Sequence, residues 1–291
     1  MKYLLGFDIG SSSVKAALVD TQSGQAVEIV SAPSTEMPIA SPRAGFAEQH
    51  PDQWWHYVCE CSKKLMSKYP DARNSIQAIG LAYQMHGLVV VDHQGQVLRP
   101  SIIWCDSRAV ETGDQLLELF DAEAFLDRHY NYPGNFTFSK LRWVQQHQPD
   151  LFERIDKIML PGDYIAFKMT GLIRSSITGL SEGIMWDFSA NRASYDLFEK
   201  CGISPDMIPE HHPTFTIQGE THPTAAEELG LSPGIPVSYR SGDQPNNAWS
   251  LHVNEPGIIA GTGVTSGVLY GISTRPVIDH TQSTNSFAHV N

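Results

Sequence analysis

A carboxylate and a turn of small residues follow the first apolar segment of the chain. Asp8 ends the apolar run Leu4–Phe7, and the Gly-Ser-Ser-Ser segment 10–13 leads into a second apolar run. Such a turn exposes backbone N–H groups that no long side chain covers, and concave turns of this kind bind phosphate oxygens. A carboxylate at the end of a buried strand needs a partner. The sequence allows Lys15, a helix N-terminus or a Mg²⁺ ion, which accompanies nucleotide phosphates.

Two further segments place polar residues beside apolar runs. Asp243 lies in "SGDQPNNA", where it is either a turn residue or a catalytic carboxylate. Gln84, Met85 and His86 directly follow the run "IQAIGLAY", and His86 is either a core histidine or a ligand-binding group. Near the end of the chain, "AGTGVTSGV" repeats the opening pattern of a strand, a small-residue turn and a strand. The chain therefore has two candidate phosphate turns and two candidate substrate segments.

Composition limits the class of protein. Lys and Arg total 20 against 32 Asp and Glu, a formal charge of −12, and no basic stripe is present, so nucleic acid is not an expected partner. No apolar run reaches the roughly 20 residues that span a bilayer, and Asp8 interrupts the N-terminus too early for a secretory signal. We therefore expect a cytoplasmic protein without a membrane partner. The four cysteines and the histidines lack zinc-site spacing, so reduced thiols are expected.

The apolar periodicity predicts an α/β fold. Short turns join the first three predicted strands, which must therefore be antiparallel neighbours. Pro51 begins a predicted amphipathic helix, and a strand pair is predicted around a turn at 92–96. Helices are predicted between 109 and 171, and the Pro- and Gly-rich segment from about 205 is predicted to be connecting structure. The predicted strands before residue 90 are 3–9, 14–19, 26–31 and "IQAIGLAYQ".

A series of segments, in order along nearly the whole chain, resembles the FGGY family of carbohydrate kinases, and the xylulokinase branch within it. Each segment is a weak or moderate signal, but their common order makes the resemblance strong. The segments are "GFDIGSSSVKAALVD", "GFAEQHPDQWW", "YQMHG", "IIWCDSRA", "KLRWVQQH", "DYIAFKMTG" with "TGLSEGIMWDF", "SGDQPNNA" and "AGTGVTSGV".

The resemblance implies an actin-like ATPase (ribonuclease H-like) fold, with a mixed sheet, a β-meander and flanking helices. It implies that sugar and ATP bind in a cleft between two domains. Asp243 would be the base that accepts the proton of the attacking sugar hydroxyl, and Asp8 would face Mg²⁺ and phosphate, with both carboxylates near the metal. The implied sugar contacts are Gln84, Met85, His86, Trp104, Asp106, Asp243 and Gln244. The implied phosphate contacts are Asp8, Gly10, Ser11, Ser12, Ser13, Lys15, Gly261, Thr262 and Gly263.

The resemblance also predicts a domain division. Residues 1–250 would form the sugar-binding domain, and 251–291 would begin an ATP-binding domain that continues well beyond this length in the family. About forty residues cannot bury an independent core, so the second domain is expected to be incomplete. The 291-residue chain alone is therefore expected to bind ATP weakly and to turn over slowly or not at all.

The implied function is ATP-dependent phosphorylation of a ketose, with D-xylulose converted to D-xylulose 5-phosphate. Gln244 is one methylene longer than the Asn that many xylulokinases carry after the catalytic aspartate, which leaves the sugar open. Another ketose or a polyol is one alternative, and a non-catalytic sugar-binding module is a second. A phosphatase or nucleotide hydrolase of the same fold is a third. A homodimer is plausible for the family.

Overall fold

A five-stranded mixed sheet forms the centre of the protein. The structure, a computed structural model, describes residues 1–263, 267–281 and 283–290. Strands β1 (Tyr3–Ile9), β2 (Val14–Asp20) and β3 (Ala26–Ala32) form the predicted antiparallel meander. Strand β5 (Ile76–Tyr83) pairs parallel to β1, and β13 (Val237–Gly242) pairs parallel to β5. The predicted α/β class with a mixed sheet is confirmed.

The described residues also form ten further strands, which pair two by two, and ten α-helices. The other strands are β4 (Glu48–Gln49), β6 (Val89–Val91), β7 (Ser101–Ile102), β8 (Lys157–Met159), β9 (Arg174–Ser176), β10 (Trp186–Asp187), β11 (Arg192–Ala193), β12 (Glu210–His212), β14 (Ile259–Gly263) and β15 (Gly267–Gly271). The α-helices of the described part of the chain are α1 (Pro51–Lys68), α2 (Val110–Glu118), α3 (Ala122–His129), α4 (Thr137–His147), α5 (Pro149–Phe152), α6 (Pro161–Thr170), α7 (Ile177–Glu182), α8 (Tyr195–Lys200), α9 (Pro223–Leu229) and α10 (Asp243–Ser250).

Helix α1 covers one face of the sheet, as its sequence predicts. Pro51 occupies its first turn, where the missing N–H costs nothing because that group has no partner inside the helix. Trp54, Val58, Cys61 and Leu65 recur at helical spacing, and all four are buried. They pack with alternate residues of β1 and β2 in the larger of the two main apolar cores. Burial of this stripe, more than helix propensity, stabilises α1.

The predicted strand pair around 92–96 is only partly correct. The turn is present: Asp92 N–H donates to the Gln96 carbonyl at 3.0 Å, and Val91 bridges to Val97. Beyond the turn the two segments are joined only by single contacts, since Leu98 N–H donates to the Val90 carbonyl at 3.0 Å and Leu88 bridges to Ile102. The regular ladders instead join β6 to β8 and β7 to β4. Pro100 offers no N–H for a continued ladder, and the buried Arg99 side chain turns to Glu48 of β4.

The segment after residue 205 contains more regular structure than expected. Helix α9 begins with Pro223 after the N-cap His222, whose Nδ1 accepts the Ala225 N–H, and it ends at Gly230 with φ of 71°. Proline at the start and glycine after the end are helix signals that the composition of this segment had obscured.

A buried ion pair joins β13 to α6. Arg240 Nε lies 3.0 Å from an Asp163 carboxylate oxygen, and both side chains are almost fully buried. The other Asp163 oxygen accepts the Leu160 N–H at 3.1 Å and the Ser175 hydroxyl at 2.9 Å. Asp163 therefore caps the start of α6 and compensates a buried guanidinium with one carboxyl group.

The C-terminal hairpin repeats the strand pairing of the opening one. Strands β14 and β15 pair antiparallel, and their connection, 264–266, lies outside the described residues. Leu269 and Ile259 are largely exposed, and a small cluster of Ala248, Val253 and Ala260 lies beneath the hairpin. The boundary predicted at residue 250 stays a prediction. Among the described helices, none combines the length and apolarity needed to cross a membrane.

The close packing of α6 on β5 predicts a steric effect at Gly162. A Cβ atom on Gly162 would lie 2.1 Å from Tyr83 Cδ1, whereas a Cβ on Gly6 of β1 would meet nothing within 4 Å. Gly162→Ala should lower the free energy of unfolding by about 1–3 kcal/mol, although alanine is the better helix former. Gly6→Ala, the matched control, should change it by less than about 0.5 kcal/mol. Urea unfolding measures both, and equal midpoints would contradict the packing argument.

Candidate active site

The carboxyl ends of three parallel strands meet at one edge of the sheet. Ile9 of β1 pairs in register with Tyr83 of β5, and Tyr83 pairs with Gly242 of β13. The residues that follow each strand therefore meet, and a cavity of about 540 Å³ lies between them. Open α/β sheets bind ligands at such an edge. The lining residues are Asp8, Gly10, Ser11, Ser12, Ser13, Lys15, Gln84, Met85, His86, Trp104, Asp243, Gln244, Asn247 and Val268.

The turn after β1 lines this cavity. Gly10 N–H donates to the Ser13 carbonyl at 3.1 Å, which closes the turn. Gln49 Nε2 donates to the Ser11 carbonyl at 2.6 Å, and Met37 N–H donates to the Ser12 carbonyl at 2.8 Å. Within the described residues, no protein acceptor is bonded to the N–H of Ser11, Ser12 or Ser13. These groups remain able to bind an anion.

Asp8 is less buried than the sequence argument assumed. Its side chain is 41% exposed at the cavity, so loss of hydration does not by itself require a cation there. Lys15, directly opposite in β2, is the partner that the structure supplies, with its Nζ 3.3 Å from Asp8 Oδ2. An ion pair exposed to this extent contributes little stability. Both groups remain accessible to a ligand.

Asp243 is the first residue of α10 and lines the cavity that Asp8 also lines. Burial, and to a smaller extent the nearby Asp8 carboxylate, raise the pKa of Asp243 to about 6. Hydrogen bonds from the backbone and side chain of Gln244 act in the opposite direction, and Gln244 Nε2 lies 3.2 Å from Asp243 Oδ2. The two carboxylates that the sequence places far apart thus interact electrostatically across one cavity.

His86 is held as a neutral imidazole. Its Nδ1 lies 3.0 Å from the Glu182 carbonyl oxygen, which can only accept, so the hydrogen is on Nδ1. Burial lowers the pKa of His86 to about 3, and the Lys140 ammonium lowers it as well. The Nε2 atom therefore has no hydrogen at neutral pH and can only accept one. His86 would bind the hydrogen-bond donor of a ligand, such as a hydroxyl.

Gln84 and Trp104 add a second acceptor and an apolar surface. Gln84 is buried, its Nε2 faces Gln49 Oε1 at 3.5 Å, and among the described residues nothing donates to its Oε1. Trp104 is half exposed, and its indole N–H donates to the Ser11 hydroxyl at 3.2 Å. An unbonded buried carbonyl is costly without a partner, so Gln84 Oε1 is a natural acceptor for a ligand hydroxyl.

Asp106, a predicted sugar contact, lies apart from the cavity. It is fully buried, does not line the cavity, and forms an ion pair with Arg108 at 2.6 Å. Its carboxylate also accepts the Ala47 N–H at 2.6 Å and the Arg108 N–H at 2.9 Å. Because these donors occupy both carboxylate oxygens, Asp106 holds the loop after Trp104 and has little remaining capacity to accept a hydrogen bond from a ligand.

The described residues of the second predicted phosphate turn do not line the cavity. Gly261, Thr262 and Gly263 lie in β14, and none of them lines the cavity described above. The turn itself includes 264–266, outside the described residues, so its phosphate role stays a prediction.

Two lining residues were missed by the sequence analysis. Asn247 lies four residues after Asp243, one helical turn along α10, so the two side chains share a face. Recognising a helix that begins at Asp243 would have identified it. Val268 reaches the cavity from β15, and no local sequence signal marks it.

Comparison with known proteins relates the chain to one family. The family profile for the N-terminal domain of the FGGY family of carbohydrate kinases matches residues 3–248. The chain belongs to the FGGY family of carbohydrate kinases. Among FGGY relatives, the xylulose kinase of Escherichia coli (strain K12) is 31% identical over 286 residues, which are 98% of this chain and 57% of the relative. The xylulose kinase of Bacillus subtilis (strain 168) is 30% identical over 290 residues, 99% of this chain and 57% of the relative.

Solved FGGY structures share the fold. A xyloylose kinase from Brucella ovis superposes with a TM-score of 0.85 at 31% identity, covering 92% of this chain and 54% of that one. The xylulose kinase from Rhodospirillum rubrum superposes with a TM-score of 0.89 at 28% identity, covering 96% and 57%. The predicted actin-like ATPase fold is confirmed. The chain spans a little over half the length of the FGGY relatives that it matches.

The shared cavity predicts that Asp8 controls the pKa of Asp243. Asp8→Asn removes a like charge and should lower the pKa of Asp243 from about 6, while burial keeps it above its usual range. Asp20, the last residue of β2, lies outside the cavity, and the control variant Asp20→Asn should leave the pKa of Asp243 unchanged. Titration of the Asp243 carboxyl by carbon NMR measures both. An identical Asp243 titration in wild type and Asp8→Asn would show that the two groups do not interact.

Proposed function

We propose that the protein containing this chain is an ATP-dependent ketose kinase that converts D-xylulose to D-xylulose 5-phosphate. The observation that carries the proposal is the single cavity in which Asp8, the N–H groups of 11–13, His86 and Asp243 converge. Its relatives named xylulose kinase support the same reaction. Because the chain spans 57% of those relatives, the proposal concerns the whole gene product.

Asp243 is the proposed general base. The sugar hydroxyl oxygen forms a bond to the γ-phosphorus of ATP, the bond from that phosphorus to the departing ADP oxygen breaks, and the hydroxyl proton passes to the Asp243 carboxylate. A pKa of about 6 leaves Asp243 mostly ionised at neutral pH and makes it a stronger base than an ordinary carboxylate. Both properties favour proton acceptance.

The phosphate chain would bind the turn after β1 and Lys15. The unbonded N–H groups of 11–13 and the Lys15 ammonium supply positive potential, so the acidic composition of the chain is no obstacle. Asp8 and Asp243 fit Mg²⁺, because they are two carboxylates that repel each other in one cavity and offer the oxygen ligands this ion prefers. When bound, Mg²⁺ neutralises charge on phosphate oxygens.

The sugar end of the cavity suits a neutral polyhydroxy ligand. His86 Nε2 and Gln84 Oε1 are both acceptors, and they match hydroxyl groups better than a carboxylate or a phosphate. Met85 and Trp104 provide apolar surfaces for the carbon chain. Such contacts favour a ketose or polyol over a sugar acid. They distinguish D-xylulose from its epimers only through hydroxyl geometry.

The assigned base predicts the pH dependence of phosphorylation. Since Asp243 must be ionised, kcat/KM should rise with pH and level off above about 6. Asp243→Asn should lower kcat by about 100- to 10,000-fold while leaving sugar binding within about threefold. ADP release is measured on the full gene product with Mg²⁺-ATP and a panel of ketoses, polyols and sugar acids, and sugar binding is measured by calorimetry. The 291-residue chain is assayed beside it, and we expect it to bind sugar but transfer phosphate poorly.

Each alternative has its own outcome in this assay. Sugar binding without phosphoryl transfer in the wild type would indicate a binding module. ADP release that no sugar stimulates would indicate a nucleotide hydrolase. Full activity of Asp243→Asn would refute the assignment of the base. Asp20→Asn serves as the control, since Asp20 ends β2 and does not line the cavity.

A further inference from the structure

The main chain of His86 is bound on both sides by buried ionisable side chains. Its N–H donates to Glu182 Oε1 at 3.2 Å, and its carbonyl accepts from Lys140 Nζ at 2.7 Å. Its ring Nδ1 donates to the Glu182 backbone carbonyl at 3.0 Å. His86 also has φ of 60°, a left-handed conformation that few non-glycine residues adopt. Three hydrogen bonds therefore hold a strained residue in place.

Neither Glu182 nor Lys140 lines the cavity, yet both are completely buried. Isolated ionisable groups are costly to bury, and apolar side chains of similar size often serve a core better. Here Glu182 binds the backbone N–H of His86 and Lys140 binds its backbone carbonyl, so both side chains hydrogen-bond to the main chain of one residue. This placement indicates a positioning task.

The same two side chains reach the other segments of the site. Lys140 also donates to the Ile103 carbonyl at 3.1 Å, immediately before Trp104. Glu182 Oε2 lies against Gly242, where a Cβ atom would be only 2.5 Å from that oxygen. Gly242 immediately precedes the proposed base. The two residues thus contact the backbone of all three segments that carry the sugar-facing groups.

We infer that Glu182 and Lys140 are positioning residues that clamp His86 in its left-handed conformation and fix its ring as the Nδ1–H tautomer. The clamp presents Nε2 as an acceptor for a sugar hydroxyl and sets Met85, the preceding residue, against the carbon chain. The consequence for sugar binding rests on the proposed function. The consequence for the ring of His86 does not, and it can be measured without any ligand.

The test uses paired variants of the 291-residue chain and of the full gene product. Glu182→Leu and Lys140→Met remove the two bonds, whereas Glu182→Gln keeps an oxygen acceptor for the His86 N–H. The control Arg128→Met breaks a partly exposed ion pair with Asp187, outside the cavity. Long-range nitrogen–proton NMR of the His86 imidazole reports the tautomer in every variant. Calorimetry with D-xylulose and the KM values for sugar and ATP report ligand binding.

We expect the wild type, Glu182→Gln and Arg128→Met to show a single Nδ1–H tautomer, and Glu182→Leu and Lys140→Met to show a mixture. Sugar affinity should fall about 10- to 100-fold in the two removal variants and stay within about threefold in Glu182→Gln. The loss should appear in KM for the sugar, with KM for ATP unchanged. A destabilised core alone would not raise KM for the sugar while leaving KM for ATP unchanged.

An unchanged tautomer and unchanged sugar affinity in both removal variants would overturn the inference. If they do not fold, Glu182→Asp takes their place, because it withdraws the carboxylate from the His86 N–H by one methylene. A single Nδ1–H tautomer and wild-type sugar affinity in Glu182→Asp would likewise overturn the clamp. If the wild type binds no sugar in the panel, the proposed function fails, and the tautomer measurement still decides the clamp.

Discussion

The parallel pairing of β1, β5 and β13 is the constraint on which the site depends. In a parallel ladder the hydrogen bonds fix the relative height of neighbouring strands, so Ile9, Tyr83 and Gly242 end level with one another. The segments that follow must then open onto the same edge. Residues separated by more than 200 positions in the chain meet there because the strands pair, and no direct contact between their own side chains is required.

The ionisable side chains at this edge of the sheet lie in two layers. The cavity itself carries Asp8 and Lys15, both accessible to solvent, and Asp243, whose pKa is raised by burial and by Asp8. Behind it, Lys140 and Glu182 are fully buried, and burial lowers the pKa of Lys140 to about 7 and raises that of Glu182. Asp8 and Lys15 keep their charge because they are hydrated, whereas burial favours the uncharged forms of Lys140 and Glu182, whose polar atoms hydrogen-bond to the His86 backbone.

Local sequence patterns predicted those parts of the fold in which one element decides its own structure. The meander and α1 were predicted because alternation and helical spacing of apolar residues report burial on one face. The ladders of β6 with β8 and of β7 with β4 could not be predicted, since the partner strands come from distant segments of the chain. Asp106 shows the same limit for the site, because its family motif suggested a sugar contact while Arg108 and the Ala47 N–H occupy its oxygens.

By itself, the sequence determined the family, the α/β class and most of the residues that line the cavity. Short motifs identify the family and the lining residues, and apolar periodicity indicates the class. Tertiary structure alone decided that Asp8 and Asp243 share that cavity and that Asn247 and Val268 join them. It also decided that His86 is neutral, with its hydrogen on Nδ1. The physical reason is that a pKa, a tautomer and a cavity wall depend on which groups surround an atom in space. Glu182 and Lys140 lie 96 and 54 positions from His86 in the chain, and they bond to its backbone only because the fold brings them there.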